Sequence, residues 1–332
     1  MITFGSTNIN SETGRLMSKA LRNGEIGQTE VIEEFEGKFA KFMGKKYAIA
    51  VCNGTMADTI ALAVLKEFFP LKRSVVVPAL TFIAQINSLW YNHLRPVFYD
   101  TPDQIRDLID EDTLCVFPVH LLGFPTFITA DVPIIEDACE ALGSKKKGKL
   151  CGTYGDMGTF SFFPSHTLST GEGGMIITDN ADYASMARRM RNHGKEKSNE
   201  FRFDVIGFNG KMSALSAIVG IGAVAELHKA IEKRHGNFIA LGGKEEEGDY
   251  VVPHGFPSFY EYRDSMMSQL RDVGIDCRQM FSSIPTQEKA YAFLAYKKGR
   301  FPRSEWIGEH GLYVPCHQGL NDKELKYIKE YI

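Results

Sequence analysis

Apolar and polar positions along this chain change period several times, and the changes mark out its elements. From Ser11 to Arg22 the apolar residues Leu16, Met17, Ala20 and Leu21 fall at helical spacing, with Ser11 as N-cap and Gly24 just past the end. Val31, Ile32, Phe35, Phe39 and Phe42 form one face of a second helix, which Gly44 closes. From Tyr47 onward, short apolar runs alternate with helical stretches. Tyr47 to Val51 reads as a buried strand, Asn53-Gly54-Thr55 as a turn and Met56 to Lys66 as a helix. Ser74 to Val77 is a strand ended by Pro78, and Thr81 to Asn92 suits a helix. Pro96 to Tyr99, Thr113 to Pro118 and Pro133 to Glu136 are further short strands. This alternation predicts an α/β fold whose sheet is mainly parallel and covered on both faces. Ligands of such sheets sit beyond the carboxyl ends of the strands, which is where Gly54, Thr55, Asp137 and His166 should gather.

The stretch from Gly158 to Gly174, GTFSFFPSHTLSTGEGG, departs from the alternation. Thr159 to Phe163 reads as a strand stopped by Pro164, a polar loop then presents Ser165 and His166, and glycines lead into a strand from Met175 to Thr178. Taken alone, this is as much a glycine-rich hairpin with a solvated histidine as a mount for a reactive group. Asp182 to Arg191 is helical, Asn192 to Asn209 is a long loop, and Ser213 to Glu232 is one long helix. Gly242 to Asp249 is a charged surface turn. Val251 to Tyr262, a helix around Ser265 to Arg271, Ile275 to Phe281, and Leu325 to Ile332 complete a smaller α/β unit. The division expected is a large domain over 1–235 and a small C-terminal domain over 236–332.

Composition narrows the class without naming it. With 44% hydrophobic and 24% charged residues, 332 residues form an ordinary globular core. A net charge of −3 gives no electrostatic case for nucleic acid or an anionic membrane. The N-terminus lacks the blocks of a secretory signal, no apolar run reaches a membrane span, and a cytoplasmic location is expected. Cys52, Cys115, Cys139, Cys151, Cys277 and Cys316 show no CxxC spacing, so neither zinc nor a disulfide framework is expected. Core packing is the role read for most of them.

The order of four short motifs goes further. These are Asn53-Gly54-Thr55 between strand and helix, Phe82 in PALTF, Asp137 in EDACEA, and Ser161 with His166 ahead of Gly-Glu-Gly-Gly. Together they resemble the DegT-type nucleotide-sugar aminotransferases, fold-type-I enzymes that use pyridoxal 5'-phosphate or pyridoxamine 5'-phosphate. The resemblance spans roughly Gly24 to Ile332 and is strongest from Tyr47 to Leu227. It implies that Gly54, Thr55 and Ser161 hold the cofactor phosphate, Asp137 faces the ring nitrogen, and Phe82 stacks on the ring. Asn209, in GFNGKM, would reach the phosphate of a partner subunit, which implies a homodimer with a shared active site. His120 in VHLLG matches a recurrent histidine near the cofactor, with a purely structural role equally open, and Glu172 would orient its loop. A nucleotide-linked sugar is the implied substrate, with glutamate as amino donor. Between Ala240 and Tyr262 the chain is shorter than the family pattern and holds few of its residues.

In most members of that family a lysine stands where this chain has His166 and tethers the cofactor covalently. There is no lysine here between Lys149 and Lys195. Imidazole cannot form the tether, but its pKa of roughly 6.5 suits it to moving a proton. The chain thereby resembles the branch of deoxysugar 3-dehydratases with histidine at this position. That implies loss of the C3 hydroxyl from a nucleotide-linked 4-keto-6-deoxyhexose. Other readings stay open: an aminotransferase working through histidine, a cofactor-binding regulatory homologue without catalysis, and an engineered replacement of lysine.

Overall fold

A computed structural model describes residues 1–5, 7, 9–196 and 201–332. The first helix is Ser11–Asn23, and its cap is Asn10 rather than Ser11, because the Asn10 side chain accepts from Thr13 N–H. The second is Val31–Met43, closed by Gly44 at φ 67°, a left-handed turn that glycine makes without strain. Seven strands follow: β1 Tyr47–Val51, β2 Ser74–Pro78, β3 Arg95–Tyr99, β4 Thr113–Val116, β5 Ile135–Asp137, β6 Met157–Ser161 and β7 Gly174–Thr178. They lie in the order β1-β7-β6-β5-β4-β2-β3, with β5 joined to β4 by single bridges, Val116 to Ile134 and Val119 to Asp137. Only β7 runs against its neighbours. The mainly parallel sheet expected from the sequence is present.

Each face of this sheet has its own core. Ile49, Val51 and Ile176 pack toward the helix Gly54–Phe68, and Ala48, Ala50, Met175 and Ile177 pack toward Val31–Met43. That is why the strands read as unbroken apolar runs. On the second face Phe35, Phe39, Phe160 and Phe162 are fully buried in edge-on contact, each contributing about 1.5–3 kcal/mol by burial.

Three boundaries differ from the sequence reading. The helix expected from Thr81 begins at Ile83, leaving Phe82 extended and 52% exposed. The strand expected from Thr159 to Phe163 starts and stops two residues earlier, so Phe163 and the residues after it belong to the loop. The single helix from Ser213 to Glu232 is two, Ala214–Ala225 and Leu227–Ala240, bent by 66° at Glu226. No proline or glycine marks that bend in the sequence. Among the described residues no single helix is long and apolar enough to cross a membrane. The loop from Asn192 to Asn209 closes on itself through bridges Asn192 to Asn209 and Lys195 to Phe203, and its residues 197–200 lie outside the described residues.

A second cluster, built on Phe238, Leu270, Ile275, Leu312, Val314 and Ile328, surrounds an antiparallel sheet of β8 Phe256–Phe259, β9 Arg278–Gln279 and β10 Gly311–Val314. We propose that this cluster is the core of the small domain. The N-terminal segment is tied to it, since Ile2 bridges Ile275 and Phe4 lies under the guanidinium of Arg278.

Candidate active site

The carboxyl ends of β1, β5 and β6 open into one cavity of about 300 Å³. Gly54, Thr55, Phe82, Asp137, Ser161 and His166 all line it. Of the residues expected at the site, Asn209 does not. Its side chain instead accepts from Lys211 Nζ at 2.6 Å, beside the segment that Cys52 N–H and Gly210 O hold against the end of β1.

At the end of β1, Asn53 caps the helix Gly54–Phe68 by accepting from Met56 N–H at 2.8 Å. That leaves the N–H groups of Gly54 and Thr55 free of protein acceptors among the described residues, at the positive end of a 15-residue helix. A Cβ on Gly54 would stand 2.7 Å from Ser161 Cβ and 3.1 Å from Cys139 Sγ. One on Gly174 would stand 2.4 Å from Asn53 O. The glycines therefore let three strand ends meet, and they leave two amides and the Ser161 hydroxyl facing one small space. This cradle fits a phosphate. Across the cavity, Phe82 meets Phe281 with ring centroids 5.2 Å apart.

Asp137 is 5% exposed and accepts from Cys139 N–H at 3.1 Å. Burial raises its pKa, and the Cys139 bond opposes the rise. Donors, an aromatic wall and a buried carboxylate match the polar and apolar parts of pyridoxal phosphate, so the residues present fit that cofactor.

His166 is half-buried and lines the cavity. Its Nδ1 lies 2.6 Å from Cys139 O. A carbonyl can only accept, so Nδ1 carries the hydrogen and Nε2 keeps a free lone pair. Burial pushes its pKa down to about 4, helped by Arg234 and Arg278, and the Cys139 bond only partly offsets this. At neutral pH it is an uncharged base.

The fold of its loop depends on a residue the sequence did not flag. Arg234, 1% exposed, donates to Ser165 O and Pro253 O at 2.8 Å each, and to Gln318 Oε1 at 2.6 Å. It fastens the His166 loop to the segment 251–254, and His254 then stands beside His166 with ring centroids 4.7 Å apart. The shortened stretch between Ala240 and Tyr262 thus supplies a cavity residue after all. The small unit also contributes Arg278, Phe281 and Tyr313. Glu140, whose pKa burial raises to about 8, lies 3.8 Å from His254 and accepts from Leu122 N–H. Glu172 faces the same space.

His120 bonds to two protein groups. Its Nε2–H donates to Glu136 at 2.8 Å and its Nδ1 accepts from Thr126 N–H at 3.0 Å, which pins the loop after β4 to the end of β5. Of the cysteines, Cys139 is not simple packing, since its Sγ lies among the cavity carboxylates.

Residues 7–332 match the DegT/DnrJ/EryC1/StrS aminotransferase family, and the chain belongs to it. The fold is that of the fold-type-I pyridoxal phosphate enzymes, and pyridoxal or pyridoxamine phosphate is the cofactor. Among its relatives, a GDP-perosamine synthase of Caulobacter vibrioides is 32% identical, covering 90% of this chain and 88% of that one. A GDP-4-keto-6-deoxy-D-mannose 3-dehydratase of Yersinia pseudotuberculosis is 28% identical, covering 90% of each. The solved E. coli GDP-4-keto-6-deoxy-D-mannose-3-dehydratase with bound hydrated PLP superposes with a TM-score of 0.91 at 24% identity, covering 100% of this chain and 99% of that one. The chain is therefore a cofactor-dependent enzyme of the nucleotide-sugar aminotransferase and dehydratase group.

Proposed function

We propose that this enzyme is a 3-dehydratase that removes the C3 hydroxyl of a nucleotide-linked 4-keto-6-deoxyhexose in deoxysugar and polysaccharide biosynthesis. The observation that carries the reading is the neutral His166 at the position of the covalent tether, in a cavity that no lysine lines among the described residues. When bound, the cofactor supplies an amine for the C4 ketone and a ring able to store an electron pair. Gly54, Thr55 and Ser161, which line the cavity together, would hold its phosphate, Asp137 would face its ring nitrogen and Phe82 would cover its face. With the cofactor bound, Nε2 of His166 would be the group that takes up a proton and returns one to the departing C3 oxygen, while Nδ1–H on Cys139 O keeps the ring aimed. Asn209 serves the site of a partner subunit in a homodimer. Glutamate is the amino donor that regenerates the amine form.

A second reading, transfer of an amine to the sugar, is favoured by the GDP-perosamine synthases among the relatives. The two separate by mass. Incubated with glutamate, cofactor and a panel of nucleotide-linked 4-keto-6-deoxyhexoses, a dehydratase releases ammonia and leaves a keto sugar lacking the C3 oxygen. An aminotransferase returns an amino sugar with the C3 hydroxyl intact, and that product overturns the proposal. His166→Asn keeps an N–H for Cys139 O but loses the base, so elimination should fall about 10²–10⁴-fold with cofactor binding retained.

A further inference from the structure

The mechanism leaves unused a buried aspartate that lines the cavity. Asp58 sits in the second turn of the helix Gly54–Phe68, in the apolar run Met56-Ala57-Asp58-Thr59-Ile60, and is 2% exposed. It lines the cavity. Carboxylate oxygens of Asp58 and Asp137 and the Cys139 sulfur all lie within 4.8 Å of one another. Neither aspartate has a cationic partner within ion-pair distance among the described residues. Asp58 Oδ1 is buried with no hydrogen-bond partner, whereas Asp137 accepts from Cys139 N–H. Two carboxylates so close and so dry cannot both stay ionised. The better-solvated member keeps the charge, and among the described residues Asp137 holds the pair's only backbone donor.

We propose that Asp58 and Asp137 carry one proton between them, resident on Asp58, so that Asp58 is a positioning residue that keeps Asp137 the single anion at the cofactor's ring nitrogen. The last clause rests on the role assigned to Asp137 above. The surroundings agree with the placement of the proton. Burial raises the pKa of both acids, Asp58 by the larger margin, with Asp137 repelling its charge and Thr159 opposing. The other titratable groups facing the pair are Cys139, on whose carbonyl His166 rests, with Glu140 beyond it and His120 behind Asp137. Arg278 lines the same cavity, but among the described residues it forms no ion pair with either acid. A doubly charged pair would set two anions against one ring N–H, and a neutral Asp58 leaves one.

The test reads the proton directly in the holoenzyme. Infrared spectra near neutral pH should show a protonated carboxyl stretch that shifts when aspartate is labelled with carbon-13, which separates it from Glu140. The band should vanish in Asp58→Asn and persist in Asp137→Asn. The uncharged amide of D58N mimics the neutral acid, so cofactor retention in that variant should stay within about twofold of the parent. The thermal midpoint gives a second reading. In the folded protein Asp58 keeps its proton above the ordinary carboxylate value of about 4, so the parent loses stability as pH rises through that range, and D58N lacks this loss. The D58N midpoint should therefore gain on the parent's as pH rises. No aspartate-sensitive band in the parent, or a band that survives D58N, overturns the proposal. If D137N retains cofactor as well as the parent, the assignment of Asp137 fails, and the infrared result still decides where the proton lies.

Discussion

Glu136 gives the sharpest prediction about stability. It is 1% exposed at the end of β5, one residue before Asp137, and its two oxygens accept from four donors. His120 Nε2 at 2.8 Å and Gly152 N–H at 2.9 Å bind one oxygen. Gly155 N–H at 2.7 Å and Tyr154 N–H bind the other. Burial alone would raise its pKa, but these donors outweigh it and hold the carboxyl below the usual range. In Glu136→Gln the amide nitrogen must face one of these pairs of donors. Two charge-assisted bonds, each worth about 1.5–3 kcal/mol, are lost. The expected cost is about 3–5 kcal/mol. At about 2.1 cal/mol/K per residue the unfolding entropy of a chain this long is about 0.7 kcal/mol/K, so Tm should drop by about 4–7 °C at pH 7. Because the folded pKa is depressed, the stabilisation exists above the unfolded value of about 4.3 and is lost as pH falls through the folded value. The gap between variant and parent should therefore narrow in acid. Scanning calorimetry of both proteins from pH 8 down to below the folded value, to about pH 2.5, checks this. A Tm within about one degree of the parent at pH 7 would refute the account of Glu136 as the clamp on the loop 152–155.

Two further outcomes follow from the cavity. Gly54→Ala forces a Cβ into Ser161, and overpacking of about 1–3 kcal/mol falls on the phosphate cradle, so cofactor should bind about 5- to 150-fold more weakly by equilibrium titration; unchanged binding would remove Gly54 from the site. His166 has a depressed folded pKa of about 4, so the parent should lose stability as pH falls from about 6.5 toward 4, and a His166→Asn variant that showed the same acid loss in a thermal scan would contradict its burial.

Local chemistry made much of this protein legible in one dimension. The apolar runs of β1, β2 and β7 and the glycine closing Val31–Met43 follow from burial and backbone conformation, which neighbouring residues decide. Asp137, Ser161, Gly54 and His166 could be named because their motifs, read in order, resemble a known family, and each lies at or a few residues beyond a strand end, where a parallel sheet places its ligand. The signal for Asp58 was also present, an acid inside an apolar helix, and so was that for Glu140, inside the motif that supplied Asp137. The sequence carries no mark of Arg234 or His254. Their partners lie far away in the sequence, and only the folded chain brings Ser165, Pro253 and Gln318 within hydrogen-bonding reach of Arg234 and sets the ring of His254 beside that of His166. The same holds for the protonation of His166. Its residue type offered a base near neutrality, but burial and two arginines from elsewhere in the chain decide that it is uncharged, and one carbonyl decides which nitrogen is free.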